Sequence, residues 1–272
     1  MNRIPSYEVL MPLAPWETSE TVTEALESLA KLRPEPIRLV LSVDGNLPLH
    51  LRSVLETSCS FPFLVISGPG GEGVGLVLAR GLKACSCELI MRADADDLSL
   101  PKRAFRQLTW MVAHPNVMAS SSWIEEFVDD PEHVVGCRHV PEGPAVRGWS
   151  RWRNPLNHPA VMLRRSAVMG VGGYRHQPGF EDYDLWLRLL QRHGPKAVGN
   201  IPEVLVKARV GSAHLGRRRG WNYAKAEAEF LIRSAREGQM AWSQSILLLV
   251  MRLPWRLLPA SALSMLMQIM RR

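Results

Sequence analysis

The chain has 272 residues, 46% of them hydrophobic and 22% charged, with a formal net charge of +7. That is enough apolar material for one large domain, or a domain with an appendage, and it excludes a disordered or disulfide-stapled chain. The charge is unevenly spread: residues 1–146 hold 12 Lys+Arg against 19 Asp+Glu, whereas residues 147–272 hold 21 against 7, a net of +14. A basic second half suits a polyanionic partner, whether nucleic acid, anionic lipid or a diphosphate-bearing substrate.

Cys59, Cys85, Cys87 and Cys137 show neither CxxC spacing nor a secreted framework, so buried free thiols in a reducing compartment are expected. Met1 to Pro15 lacks the charged and apolar regions of a secretory signal. The apolar run Ile246 to Met251 falls far short of the roughly 20 residues of a membrane span.

In chain order, Tyr7 to Met11 reads as a strand closed by Pro12, and Val22, Ala25, Leu26 and Leu29 recur at helical spacing. Ile37 to Val43 is a second strand, ending at Asp44-Gly45 and followed by a helix around Leu49 to Leu55. Phe63 to Ile66 is a third, with a Gly-rich turn from Gly68 to Gly75 and a helix through Leu78, Leu82 and Ala84. Leu89 to Met91 is the fourth. Near-continuous apolar strands alternating with helices imply a parallel sheet covered on both faces.

The fourth strand delivers three carboxylates, Asp94, Asp96 and Asp97, followed by Ser99 and Pro101 opening a helix. In open α/β sheets ligands bind outside the carboxyl ends of the strands. Asp94 and Asp96, flanking Ala95, have the spacing to present oxygens to one hard divalent cation; a polar turn with an Asp cap has the same spacing. Asp44 ends a near-neighbouring strand on the same rim. The helix after the acids carries Ala104, Phe105, Leu108, Met111 and Val112 on one face and stops at His114-Pro115. Val117 to Val128 and His133 to Val140 look strand-like, so a doubly wound half gives way to a mixed half. Gly170 to Tyr174 reads as a turn, and Glu181 to His193 as a helix with Leu185, Leu189 and Leu190 inward and Gly194 past its end.

Gly68 to Gly73 satisfies G-x-G-x-x-G, with Asp94 about 20 residues on, so a dinucleotide-dependent oxidoreductase is one alternative. The turn follows the third strand rather than the first, however, and no Lys-Ser/Thr follows it to make a P-loop. A second acid cluster, Glu181-Asp182-Tyr183-Asp184, opens a helix. First-turn acids are favoured by the helix dipole alone, and one of them is also placed to act as a general base.

Taken together, Asp94-Ala95-Asp96-Asp97 after a strand, Glu181 to Trp186 opening a helix and Asp44-Gly45 resemble the inverting family 2 glycosyltransferases of the GT-A fold. Trp152 to Val168, Gly172-Gly173-Tyr174 and Leu205 to Gly211 resemble more narrowly the amylovoran-type exopolysaccharide and capsule glycosyltransferases of bacteria. The resemblance covers about residues 7–225. It implies an α/β, GT-A-like domain: a Rossmann-like nucleotide-sugar-binding half, 1–115, with a mostly parallel mixed sheet and helices on both faces, and an acceptor-binding half, 116–225. A basic amphipathic helical tail, 226–272, is appended.

By the same resemblance Pro12, Asp44, Arg80, Asp94, Ala95 and Asp96 bind the donor, a nucleotide-diphosphate sugar and first of all a UDP-sugar, with Asp94 and Asp96 holding Mn²⁺ or Mg²⁺. Asp182 is the base that deprotonates the acceptor hydroxyl and Glu181 orients it. From the residues themselves, Asn157, His158 and Trp152 are expected to face a saccharide acceptor, lipid-diphosphate-linked, a His beside a Pro being otherwise structural, and the basic cluster His214, Arg217, Arg218 and Arg219 either closes over the phosphates or is a solvated loop. The chain departs from the family at Ala14-Pro15-Trp16, where Tyr-Asn is common, at the single carboxylate of Val43-Asp44-Gly45-Asn46, and at Leu78-Ala79, where many relatives carry Arg-Asn. The tail from Ser243 to Arg272 mixes apolar runs with Arg252, Arg256, Arg271 and Arg272 and is broken by Pro254 and Pro259, as in segments lying on an anionic membrane or in a pair of core-packing helices. The expected location is therefore cytoplasmic, peripheral on the inner face of the membrane. A nucleic-acid-binding module using the basic half is the non-enzymatic alternative; no recognition-helix or basic-aromatic motif supports it, so no nucleic acid is expected as a partner.

Overall fold

The computed structural model describes residues 4–211 and 220–257. They form two compact units: the residues up to His176 with Glu181–Val210, and Gln177–Phe180 with the residues from Gly211 on.

The first unit is built on one mixed sheet. Its strands are β1 (Tyr7–Leu13), β2 (Leu39–Val43), β3 (Phe63–Ile66), β4 (Leu89–Arg92), β5 (Leu98–Ser99), β6 (Ala119–Phe127), β7 (Val134–Arg138), β8 (Met162–Arg164) and β9 (Val198–Arg209). The order is β3-β2-β1-β4-β8-β6-β9-β5, with β7 also pairing β6. β3, β2, β1 and β4 run parallel, β8 is antiparallel to both neighbours, and β9 pairs parallel with β6. The doubly wound half followed by a mixed half is thus the arrangement found. Asp44 and Asp94 follow strands separated only by β1.

Alternation along β1 assigns the two faces. Val9, Met11 and Leu13 join the core under α1 (Ser19–Ala30), α2 (Leu49–Ser58) and α4 (Arg103–Ala113). Leu10 joins the core under α3 (Val74–Ala84), α6 (Arg165–Gly170) and α7 (Glu181–His193). A short α5 (Ala145–Trp149) leads into the loop before β8. The helices start and stop where the sequence provides caps: Thr18 Oγ accepts the Thr21 N–H at 3.2 Å before α1, and Gly194 leaves α7 at φ 89°.

Several expectations are corrected. Pro12 does not close β1 but lies inside it, opposite Ser42. Its missing N–H costs nothing, because β1 pairs with β4 only as far as Leu10 and Pro12's nitrogen faces that side. Ile37 lies outside β2 and is exposed. Ser99 belongs to β5 rather than opening a helix, and α4 starts at Arg103. On α4 only Ala104, Leu108 and Met111 of the five apolar residues are buried; Phe105 and Val112 are exposed, and Arg103 and Gln107 go inward instead. Arg103 hydrogen-bonds the Arg92 carbonyl, Ser99 Oγ and Gln107, and Gln107 donates to the Ala160 carbonyl at 2.8 Å, so this helix face ties β4 to the segment before β8. All four cysteines are free, but only Cys85 is buried; Cys59 and Cys87 are partly exposed and Cys137 is exposed on β7.

The second unit contains α8 (Trp221–Arg236) and α9 (Trp242–Leu257). Phe180 stacks on Phe230 with centroids 4.9 Å apart, and Glu227, fully buried, accepts from Arg252 at 3.0 Å and Arg256 at 2.8 Å. Among the described residues no helix is long and apolar enough to cross a membrane.

Candidate active site

β4 is buried throughout and carries an arginine as its last residue, Arg92, only 4% exposed. A guanidinium in that position needs a charged partner, and Arg92 is paired with Asp94 two residues on. Burial alone would lower the Arg92 pKa; Asp94 more than compensates. Asp94, Asp96 and Asp97 present carboxylate oxygens that all lie within 4.8 Å of one another. Burial, then the charge of Asp94, pushes Asp96 up to about 6. Asp97 is raised still more clearly, by burial and then by both neighbouring acids.

Asp97 is committed to the protein. Its Oδ1 accepts the Arg209 N–H at 2.8 Å, and Arg209 Nε donates to the Asp96 carbonyl at 3.3 Å. The Arg209 side chain also reaches the Val128 and Asp129 carbonyls and Glu24, and lies 4.6 Å over the Phe127 ring. The end of β9 therefore clamps the acid turn, leaving Asp94 and Asp96, both half-buried, as its two more accessible carboxylates. A crowded set of hard oxygen donors, with more negative charge than its partners balance, fits a divalent cation of the Mg²⁺ or Mn²⁺ kind.

On the same rim Asp44 Oδ1 accepts the Glu72 N–H at 3.1 Å, and the Gly68 N–H donates to the Gly45 carbonyl at 3.3 Å, so the Gly-rich turn folds back onto the end of β2. Arg80 is drawn into this turn: it pairs with Glu72 and donates to the Val43 carbonyl at 2.7 Å. An added Cβ on Gly68 would fall 2.3 Å from that guanidinium. Gly68 thus makes room for Arg80, and Gly70 packs on Gly45, on a turn that follows an edge strand, which is not the placement of a dinucleotide fingerprint. At Gly75 an added Cβ would meet the Arg175 carbonyl at 2.5 Å and Glu181 Cβ at 3.1 Å, so only glycine lets the start of α3 approach the start of α7 so closely.

α7 brings in the second acid cluster. Asp182 Oδ2 accepts from Asn154 Nδ2 at 2.5 Å and its Oδ1 from the Tyr183 N–H at 2.7 Å, while Glu181 is 9% exposed. One turn on, Asp184 and Arg188 form a buried pair, and Arg188 donates to the Val171 carbonyl at 2.5 Å and the Gly173 carbonyl at 2.8 Å. That pair fixes the Gly-Val-Gly-Gly turn, which delivers Tyr174. The Tyr174 hydroxyl lies 3.0 Å from His158 Nε2, and His158 packs edge-on to Trp186. Burial raises the Tyr174 pKa, and the phenol experiences the charges of Arg92, Asp182, Glu181 and Asp94. Burial, helped by Arg92, pushes the His158 pKa well below its ordinary value, so the imidazole is neutral. One phenol, Tyr174, thus feels the charge of Asp94 from one acid cluster and of Glu181 and Asp182 from the other, some ninety residues on.

Asn157 is buried with its amide hydrogens given to the Ser122 and Arg138 carbonyls at 2.9 and 3.0 Å, so its side chain shapes the loop. Trp152 is 46% exposed in the loop that also holds Asn154. Ala95 is buried between Asp94 and Asp96, and Pro12 is half-buried near the C-terminal end of β1. His214, Arg217, Arg218 and Arg219 lie outside the described residues. Arg92, Tyr174 and Arg209, and Asn154 beside Asp182, had no role in the sequence reading. The signal for Arg92 was an arginine inside an apolar strand run, since Arg is almost never buried unless paired. Tyr174 and Arg209 both sit in motifs whose residues gave no hint of what they touch.

Glycosyl transferase family 2 matches residues 14–171. The chain is 31% identical over 262 residues to the amylovoran biosynthesis glycosyltransferase AmsE of Erwinia amylovora, covering 96% of this chain and 97% of that one. It is 31% identical over 258 residues to the UDP-Gal:alpha-D-GlcNAc-diphosphoundecaprenol beta-1,3-galactosyltransferase of Escherichia coli, covering 94% and 93%. Among solved structures, a mannosyltransferase from Pyrobaculum calidifontis in complex with GDP-Man and Mn²⁺ superposes with a TM-score of 0.66 at 17% identity, covering 94% of this chain and 73% of that one. TarS of S. aureus, residues 1–349 in complex with UDP-GlcNAc, gives 0.61 at 14% identity, covering 85% and 66%. The fold expected from the sequence motifs, GT-A, is the fold of this chain.

Proposed function

The chain belongs to glycosyl transferase family 2, and from that premise we propose that it moves one sugar, with inversion, from a nucleotide-diphosphate donor to a lipid-diphosphate-linked saccharide in bacterial surface polysaccharide synthesis. The observation that carries this reading is that Tyr174 feels the charges of Asp94, which clusters with Asp96, and of Glu181 and Asp182.

In this scheme Asp44 contacts the donor base at the end of β2, and Asp94 and Asp96 hold Mn²⁺ or Mg²⁺ against the diphosphate. Bound there, the cation supplies a Lewis acid for the departing nucleoside diphosphate. Asp182 takes the proton of the acceptor hydroxyl as that oxygen bonds to the anomeric carbon. An ordinary carboxylate is a weak base, but it suffices because the hydroxyl becomes acidic only as its bond to an electron-poor carbon forms. Asn154 and the Tyr183 N–H hold the Asp182 carboxylate in one orientation. One displacement by one activated hydroxyl inverts the configuration. Neutral His158 and its hydrogen-bond partner Tyr174 bring no charge of their own beside these acids.

The donor is proposed to be a UDP-sugar and the acceptor lipid-linked because the Escherichia coli relative's name gives those classes for that enzyme. The proposed place of work is the cytoplasmic face of the membrane, where such acceptors are built. A nucleic-acid module would have no use for an acidic rim of this kind.

A panel of nucleotide sugars, assayed for turnover with and without Mn²⁺, tests the reading. The expected result is one donor turned over only with the cation, and an Asp182→Asn variant that binds that donor but transfers about 10²- to 10⁴-fold more slowly. Turnover of a donor at the wild-type rate by Asp182→Asn removes the base assignment.

A further inference from the structure

The second unit presents an inverted helix. In α9 the two arginines face inward, Arg252 and Arg256 closing on buried Glu227, with Ser245 and Leu248 buried on the same side. The opposite arc is apolar and open: Trp242, Ile246, Leu247, Val250, Met251 and Trp255 are each 44–68% exposed. At 100° per residue these six span rather more than half of the helix circumference, and only Ser243 and Gln244, in the first turn, place polar side chains on the same arc. Soluble chains seldom leave such a stripe bare unless something covers it.

We propose that this face of α9 docks into the interfacial region of an anionic lipid bilayer. Two observations favour lipid over a second copy of the chain. Tryptophans stand near both ends of the aliphatic stripe, where their amphipathic rings suit the headgroup level. From Trp221 to Leu257 five basic residues, Lys225, Arg233, Arg236, Arg252 and Arg256, stand against three acidic ones, Glu227, Glu229 and Glu237, so two copies would bring like net charge together, whereas anionic headgroups complement it. The surface differs from the basic amphipathic tail expected from sequence. There the arginines would lie against the headgroups; here α9's two are spent on Glu227, and the attachment is insertion of apolar side chains, supported by net positive charge rather than made by it. The inference stands on the second unit alone and does not require the transferase reading.

The test is flotation of the full chain with vesicles of phosphatidylcholine mixed with phosphatidylglycerol, at low and high salt, for wild type and for Ile246→Ser/Val250→Ser. Both positions are exposed, and circular dichroism checks that the variant keeps its helices. Wild type is expected to float at both salt concentrations, and the variant to partition about a hundredfold more weakly, two aliphatic insertions at roughly tenfold each. Three results would overturn the proposal: no flotation of wild type, equal flotation of the variant, or binding that high salt abolishes. So would a wild-type dimer that the double substitution converts to monomer without vesicle binding, because the stripe would then be an interface between copies. A chain that floats but turns over no donor leaves the docking surface standing and counts against the proposed function instead.

Discussion

The parallel strands β1 and β4 have carboxylates at both ends, and the two ends treat charge in opposite ways. At the N-terminal end Glu8 is fully buried, and its carboxylate accepts the Ser86 and Cys87 N–H groups at 2.6 and 2.7 Å and the Arg38 guanidinium at 2.8 Å. Burial alone would raise its pKa, but these donors hold it below the usual carboxylate value. At the C-terminal end Asp94, Asp96 and Asp97 crowd together with Arg92 and one backbone N–H from Arg209 as the main relief, and Asp96 and Asp97 are pushed up. One end is a finished structural lock. The other holds charge that the protein itself does not neutralise, which is what a site reserved for a cation and a diphosphate requires.

Substitution at Asp96 should separate the two ends most sharply. Asp96→Asn is expected to reduce transfer by about 10²-fold or more, since a cation ligand and its transition-state stabilisation go together. In the absence of metal the same change should stabilise the fold by about 1–2 kcal/mol at pH 7, discounted for the partial exposure of the group. Urea unfolding without added cation checks the sign; destabilisation would mean that Asp96 is as well satisfied as Glu8. Glu8→Gln should behave conversely, losing about 2–4 kcal/mol in the same measurement because Arg38 and two amides lose a charged acceptor, with activity per folded molecule unchanged.

Acid titration is the finer probe. Glu8 has a depressed folded-state pKa, so its contribution is present above about 4.5 and lost as the pH falls through the lower folded value. Asp96 has a raised one, so between about 4 and 6 the folded state binds more protons than the unfolded, and acidification from neutrality into that window stabilises the metal-free chain at this site. Protons and cation then compete for Asp96, and Mn²⁺ affinity measured calorimetrically should fall as the pH drops below about 6. An affinity flat from pH 7 to 5 would place the cation elsewhere.

The acid rim was legible in sequence because its logic is local: Asp94 and Asp96 follow an apolar strand directly, and Glu181 to Asp184 open a strongly periodic helix that runs as expected to His193. What the sequence hid depends on closure of the chain. Arg92 reads as a stray charge until Asp94 and the segment before β8 surround it, and Tyr174 acquires its place only because Arg188, on another element, holds the turn before it. Phe105 and Val112 misled for the same reason: periodicity marks an apolar stripe but not which part of it faces the core, and Arg103 and Gln107 took the inward positions to bond β4 and the loop before β8. Arg80's partners, Glu72 and the Val43 carbonyl, were equally hidden, because only the folded turn brings them to it.

The most direct test of the central claim is the thermal midpoint of wild type and Asp96→Asn with Mn²⁺ and a nucleoside diphosphate, added singly and together. The expected result is a rise for wild type that needs both and is lost in Asp96→Asn, because a ligand that binds only the folded state stabilises it in proportion to its affinity. An equal rise in both proteins would contradict the assignment of the acid rim as the cation and diphosphate site.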